Sequence, residues 1–151
     1  VESGFERPGF VLWIGMNPST ADASADDPTC RREWNFTRAW GYGHYVKVNL
    51  GDYRATDPRA LPKDGSAISK ANFPTIRDLA ERASRIIVAH GNPPKPLRQA
   101  ARDLHNMLLE SLASDRVYCL GLTDTGWPRH PLYSRKYLAP VPYVGIALPW
   151  R

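Results

Sequence analysis

The chain has 151 residues, of which 42% are apolar, 23% charged and 11% aromatic. This composition is typical of one globular domain and excludes a disordered or fibrous protein, so we expect a single domain over residues 1–151. The net charge of +5, from 20 Lys and Arg against 15 Asp and Glu, favours a polyanionic partner.

Two features bear on the location of the protein. Cys30 and Cys119 lie far apart without metal-ligand spacing, which favours reduced thiols and a cytoplasmic location. The sequence has no apolar run long enough to cross a bilayer and no basic-then-hydrophobic stretch at its start. We therefore expect a soluble protein that is not secreted.

The first elements in chain order are two strands and the helix between them. Short apolar runs predict buried strands at residues 11–14, 45–50, 85–89 and 116–120. After the first strand, Asp27 as N-cap and Pro28 at the first helical position predict a helix over residues 29–40, ended by Gly41. The stripe expected to face the core from this helix is Cys30, Trp34 and Thr37.

Two further helices are predicted between the later strands. The pattern over residues 67–83 is weak, and Pro74 is expected to kink or restart it, so the part after Pro74 is better supported. Leucines and an alanine at helical spacing predict the strongest helix: Leu97, Ala101, Leu104, Leu108 and Leu112. The alternation of strands and helices predicts an α/β fold with three layers, in which helices cover both faces of a four-stranded parallel sheet. The Pro-rich end of the chain has room for one short edge strand.

Polar residues follow each predicted strand. Ligands of open parallel sheets bind outside the carboxyl ends of the strands, so these residues are the site candidates. The loop after the first strand contributes Gly15, Met16, Asn17, Pro18, Ser19, Thr20 and Asp22. Asn49 ends the second strand, His90 follows the third, and His130 lies in a loop after the fourth.

Several of these segments resemble a known family. Four segments together resemble an uncharacterised bacterial and phage family with an Asn-Pro-Ser-Thr-Ala-Asp signature. They are the run from Trp13 to Asp22, Asp27-Pro28-Thr29, Arg54-Ala55-Thr56-Asp57-Pro58 and the late Pro128-Arg129-His130-Pro131-Leu132-Tyr133. The resemblance spans nearly the whole chain. The order of motifs is in turn similar to that of the uracil-DNA glycosylase superfamily, which implies the strand order 2-1-3-4.

The distant resemblance also implies roles for individual residues. In that superfamily, the loop after the first strand positions the attacking water, and an Asn at the end of the second strand recognises a pyrimidine edge. A His-Pro loop after the fourth strand supplies an imidazole and an intercalating Leu. The matching positions here are Asn17, Asn49, His130 and Leu132. The strongest members have an acid where Asn17 stands, and an amide cannot act as a general base. Catalysis here would therefore resemble that of the slower mismatch-type branches, which carry Asn, or would recruit Asp22, Asp26 or Asp27.

These observations predict a metal-independent N-glycosidase acting on a modified or deaminated base in DNA, or on a related nucleotide. Cleaving the bond between base and sugar requires a positioned water and donors aimed at the departing base, but no cofactor or metal. The predicted catalytic residues are Asn17, His130 and Asp22. Substrate contacts are expected from Gly15, Met16, Pro18, Ser19, Thr20, Asn49, Trp34 and Leu132. We expect the protein to act as a monomer on DNA or a nucleotide, without a membrane.

Two other functions remain open. One is a nucleic-acid- or nucleotide-binding module that lacks catalysis, and the other is a hydrolase of another small anionic substrate using Asp22 or Asp27. Each candidate residue also has a structural alternative. Asn17 is typical of a strand-to-helix turn, Asp27 has a sufficient role as N-cap, and His90 suits a satisfied position in the core.

Overall fold

The fold is a mixed α/β arrangement around one sheet. The computed structural model describes residues 6–18, 27–53, 59, 61–136 and 138–145. The strands are β1 (Val11–Gly15), β2 (Tyr45–Asn49), β3 (Arg85–Val88), β4 (Val117–Cys119) and β5 (Val141–Pro142). They form a five-stranded sheet in the order β2-β1-β3-β4-β5. Within the described residues, no helix is long and apolar enough to span a membrane.

The sheet corrects one expectation. Neighbouring strands from β2 to β4 pair in parallel, but β5 pairs antiparallel with β4, through Tyr118 with Pro142 and Cys119 with Val141. The sheet is therefore five-stranded and mixed, where a four-stranded and purely parallel one was expected. The added strand lies at the edge, which is the position where a sheet tolerates a proline.

The first helix begins as the sequence predicts. In α1 (Pro28–Ala39), Oδ1 of the N-cap Asp27 accepts hydrogen bonds from the backbone N–H groups of Thr29, at 2.8 Å, and Cys30, at 3.4 Å. Gly41 follows the helix with a φ of +94°, a conformation that glycine adopts without strain. Its buried residues are Glu33, Phe36 and Thr37. Of the predicted stripe, Thr37 is buried, whereas Cys30 and Trp34 are only half-buried, and the buried acid Glu33 was missed.

The other two helices differ from the prediction at their ends. In α2 (Asn72–Arg82), Pro74 lies in the first turn, where its missing N–H needs no helical partner, so the helix begins there and is not kinked. In α3 (Arg98–Leu109), the preceding turn is a short 3-10 helix, Lys95–Leu97. Leu112, expected on the apolar stripe, lies beyond the helix and is 89% exposed.

Helices cover both faces of the sheet. Side chains alternate along β1, so that Leu12 and Ile14 pack in the cluster formed with α2 and α3, while Val11 and Trp13 pack with Phe36 of α1. Trp13 Nε1 also donates a buried hydrogen bond of 2.9 Å to Thr37 Oγ1 of α1. We call the two sides of the sheet the α1 face and the α2/α3 face.

Candidate functional site

The site begins at the carboxyl ends of the two neighbouring strands β1 and β2. Gly15 pairs with Asn49, and Lys47 lies two residues earlier on the same side of β2. A Cβ at Gly15 would lie 2.8 Å from Asn49 Oδ1 and 3.0 Å from Lys47 Nζ. Glycine at this position therefore leaves space that the ends of both polar side chains occupy.

Lys47 forms an ion pair with the buried acid of α1. Its Nζ lies 2.7 Å from Glu33 Oε2, and the side chain of Glu33 is fully buried. The other carboxylate oxygen, Oε1, has no hydrogen-bond partner among the described residues. Burial raises the pKa of Glu33, while the neighbouring Lys47 lowers it.

A thiol and a phenol lie next to this ion pair. The Tyr45 hydroxyl and the Cys30 thiol influence each other's ionisation, and burial raises the pKa of Cys30 and raises that of Tyr45 to about 12. Trp34 stacks on Tyr45, with 5.8 Å between ring centroids, and the Arg38 guanidinium lies 6.0 Å from its ring. Trp34 therefore already packs against protein groups at the position where a base-stacking role was predicted.

His130 lies in the loop after β4 and comes close enough to Lys47 for the lysine charge to act on it. Its Nδ1 accepts a hydrogen bond of 3.2 Å from the backbone N–H of Leu132. Burial lowers the pKa of His130, the positive charge of Lys47 lowers it further, and Asp27 acts in the opposite direction. The ring is therefore neutral at pH 7, and because Nδ1 is an acceptor, the hydrogen resides on Nε2.

The end of β3 supports the loop that carries His130. Gly91, with a φ of +72°, donates its N–H to the Pro128 carbonyl over 2.8 Å. A Cβ at Gly91 would lie 3.3 Å from His130 Cβ, so the two backbones approach closely. On its other side, the loop is held by α1, where Arg32 Nη2 donates to the Ser134 carbonyl over 3.1 Å.

The loop after β1 is braced by Asn17. Its Nδ2 donates to the carbonyls of Pro18, at 3.1 Å, and Tyr53, at 3.4 Å. Met16 is half-buried and packs against the core of the α2/α3 face. These contacts tie the loops after β1 and β2 together, as the structural alternative for Asn17 predicts. Three predicted site residues, Ser19, Thr20 and Asp22, lie outside the described residues.

The structure thus brings together part of the predicted site. Asn49 meets Gly15 directly, and His130 lies within the electrostatic influence of Lys47, which contacts the same glycine position. Leu132, predicted to intercalate, is 41% exposed and follows His130 by two residues. His90 is buried on the other side of the sheet, as its structural alternative predicts.

Sequence reasoning missed Glu33 and Lys47. Two signals were present in the sequence: an acid on the core-facing side of a helix, and a lysine inside an apolar strand two residues before Asn49. A glutamate on a helix and a lysine on a strand are each typical of a solvent-facing position. The ion pair between Glu33 and Lys47 explains why both side chains point into the protein. Among the described residues, no three His, Cys, Asp or Glu side chains are grouped so that they could hold a metal ion.

The protein is an α/β domain whose sheet carries polar groups from β1, β2 and the loop after β4 on its α1 face. In open α/β sheets of this class, the functional site is expected at the carboxyl ends of the strands. The chain belongs to the DUF1643 family, described as a protein of unknown function, whose model matches residues 4–132. This confirms the expectation of an uncharacterised domain family. No curated protein and no solved structure matches the chain.

Proposed function

We propose that the protein is a metal-independent N-glycosidase that hydrolyses the bond between a base and its sugar, in DNA or in a related nucleotide. We infer a distant relationship to the uracil-DNA glycosylase superfamily from the order of the motifs. The proposal depends chiefly on one observation: His130 Nδ1 accepts the Leu132 N–H at 3.2 Å, which leaves Nε2 as the donor of the ring.

A neutral imidazole with its hydrogen on Nε2 is a donor suited to a departing base. When the bond between the sugar carbon and the base nitrogen breaks, the electron pair leaves with the base and negative charge develops on it. A neutral donor stabilises this charge without requiring a counter-ion. Burial, and after it the charge of Lys47, lowers the pKa of His130, so that the ring stays neutral at pH 7.

Other groups of the site take the remaining roles in this proposal. The amide of Asn49 offers two donors and an acceptor to the edge of a base. Asn17 holds the water that attacks the sugar carbon, and a carboxylate accepts its proton. Asp22 was predicted for that role, and Asp27 is a described carboxylate whose charge acts on His130.

Two exposed side chains beside His130 favour DNA as the substrate. Leu132 is 41% exposed and Tyr133 79% exposed, directly after the imidazole in the chain. An apolar or aromatic side chain at this position can enter a base stack and stabilise a flipped nucleotide. The positive net charge of +5 favours the same partner.

The contacts of Asn17 favour a second candidate, a nucleotide-binding module without catalysis. The Asn17 amide nitrogen donates to two backbone carbonyls, so this side chain braces a loop. In addition, an amide cannot act as a base that accepts a proton from water. A site with the base-recognising groups but no general base would bind and not cleave.

The deciding experiment offers the protein deaminated and modified bases in single strands, duplexes and free nucleotides. Released base is measured by mass spectrometry, and abasic sites are detected by alkaline cleavage. We expect release by the wild type and a decrease of about 10²- to 10³-fold for His130→Ala with little change in binding, since the donor acts on the transition state. Asn49→Ala should weaken binding and base discrimination together.

The matched control is His44→Ala, which removes an exposed histidine just before β2, at the amino ends of the parallel strands, whereas the His130 loop lies beyond their carboxyl ends. Asn17→Asp tests whether a carboxylate increases the rate, although it also removes the two hydrogen bonds of the amide. If neither the wild type nor Asn17→Asp releases base, while His130→Ala alters affinity, the binding module is correct and the glycosidase is wrong.

A further inference from the structure

A chain of buried hydrogen bonds crosses the α2/α3 face from the segment after β5 to the end of β3. Tyr143 Oη lies 2.8 Å from His105 Nδ1, and His105 Nε2 lies 2.9 Å from His90 Nε2. His90 Nδ1 lies 2.6 Å from the carbonyl oxygen of Gly91. Tyr143, His105 and His90 are all buried, and we call these three side chains the relay.

The direction of every hydrogen bond in the relay follows from its last acceptor. A carbonyl oxygen only accepts, so His90 Nδ1 carries a hydrogen and donates it to Gly91. Burial lowers the pKa of His90 to about 4 and of His105 to about 3, so both rings are neutral at pH 7. His90 Nε2 is then an acceptor for the N–H of His105 Nε2. His105 Nδ1 in turn accepts from the Tyr143 hydroxyl.

The relay ends at the glycine against which His130 packs. The Gly91 N–H holds the Pro128 carbonyl, and the Cα of Gly91 lies against the Cβ of His130. The next residue, Asn92, accepts hydrogen bonds from Thr123 and Thr125 through Oδ1, at 2.7 and 3.0 Å. The His130 loop thus rests on a short segment whose central carbonyl is fixed from behind by His90.

An aromatic ring also packs against both histidines of the relay. Trp127, which belongs to the His130 loop, has its ring centroid 5.9 Å from that of His90 and 6.1 Å from that of His105. The Arg102 guanidinium carbon lies over the Trp127 ring, 5.4 Å from the ring centroid. The relay and the loop are therefore in contact at two places, through Gly91 and through Trp127.

We propose that Tyr143, His105 and His90 are positioning residues for His130, which fix the Gly91 peptide and so hold the neutral imidazole in its place on the α1 face. The chemical use of His130 rests on the proposed glycosidase function, but the relay is a property of the fold and needs no substrate. Because glycine at a φ of +72° has little conformational restraint of its own, the carbonyl needs this fixed donor.

Side-chain nitrogen NMR tests the proposal. The chain has four histidines, so each ring is assigned by substituting one at a time. In the wild type we expect His90 as the Nδ1–H form, and His105 and His130 as the Nε2–H form. Tyr143→Phe removes one hydroxyl and keeps the ring. It leaves His105 Nδ1 without its donor, and so should shift the ring signals of His105 and His90 together with the ring signals and the titration midpoint of His130.

The matched control is Tyr118→Phe on β4, a tyrosine on the α1 face that is outside the relay and should leave all four histidines unchanged. If Tyr143→Phe does not fold, His105→Gln takes its place, since it keeps a donor towards His90 and removes the acceptor for Tyr143. An Nε2–H form of His90 in the wild type would overturn the relay. Altered His90 and His105 with an unchanged His130 would overturn the positioning role. Correct NMR behaviour without base release would leave the relay standing and reject only the glycosidase.

Discussion

The Lys47 ammonium lies 2.7 Å from the Glu33 carboxylate, and only one of the two partners reaches solvent: the Lys47 side chain is 23% exposed and that of Glu33 is fully buried. An ion pair of this kind is asymmetric, because a partner left alone in the interior loses hydration that a partner near the surface keeps. The two single substitutions should therefore have unequal effects on stability.

We predict that Lys47→Met destabilises the protein by about 3 kcal/mol or more at pH 7, since it leaves a buried carboxylate without its counter-charge. Glu33→Gln should cost about 1 kcal/mol, because Lys47 retains contact with water. Urea unfolding measures both, with Lys95→Met as the control for an exposed lysine. The cost of Lys47→Met should shrink as the pH falls towards the usual Glu value of 4.5, because the acid, whose pKa burial raises, then becomes neutral. Equal costs for the two substitutions would contradict the asymmetry.

Gly15→Ala tests the space at the end of β1. The added methyl group would lie 2.8 Å from both Asn49 Oδ1 and Lys47 Cε, which are the ends of flexible side chains, so the fold should survive while both move. We expect a change in melting temperature of only a few degrees, corresponding to about 1 kcal/mol, and a clear loss of ligand binding or base release. Gly43→Ala is the matched control, since the nearest atoms to its methyl group would be those of the Glu6 carboxylate, away from the candidate site. Unchanged function in Gly15→Ala would show that Asn49 is not part of the site.

Acid should destabilise the protein through its buried histidines. Burial lowers the pKa of His90 to about 4 and of His105 to about 3, from an ordinary value of 6.5, and it also lowers that of His130. In this range the unfolded chain binds protons that the folded chain does not. The contribution of these neutral histidines to the free energy of unfolding is therefore fully present above pH 6.5 and decreases as the pH falls towards 4. The charge that His90 would carry lowers the pKa of His105 in addition to burial.

Denaturant unfolding at several pH values between 7 and 4.5 measures this decrease. His130→Gln should retain most of it, because His90 and His105 supply the larger part, whereas a variant with both buried histidines replaced should lose most of it. A stability that stays constant from pH 7 to 5 in the wild type would mean that these rings are not buried as described.

If the partner is DNA, its binding should weaken steeply with salt. The slope of log K against log salt is about −0.9 for each phosphate neutralised, because each contact releases condensed counterions. Arg129 is next to His130 in the chain. If it meets a phosphate, Arg129→Gln should reduce affinity for all sequences and lower the slope by about 1. Arg77→Gln on α2, which covers the other face of the sheet, is the control. Binding that does not change between low and moderate salt would favour a free nucleotide over DNA.

The strands and helices were predictable because their signals are local. The apolar runs at residues 11–14 and 85–89 lie in the centre of the sheet, where both faces are covered, so they needed no alternation to be recognised. Asp27 and Pro28 determine the start of α1 by hydrogen bonding and by a fixed φ, which depend only on neighbours in the chain. The end of the strongest helix was predicted too late, because Leu112 continues the helical spacing but has nothing to pack against.

The sequence by itself determined the fold class, the positions of β1 to β4, and the candidates Asn49 and His130, because strand ends in a parallel sheet are also the usual place for function. Only the tertiary structure decided which of these residues meet. Glu33 and Lys47 are separated by 14 residues, and His90 and His105 by 15, so their pairing depends on how α1 and α3 lie on the sheet. The charge state of His130 likewise follows from burial and from Lys47, neither of which has a signal in the sequence around it. Interactions between neighbours in the chain determine the helices and strands. The pKa values and the hydrogen-bond directions instead depend on groups that are distant in the sequence and that only packing brings together.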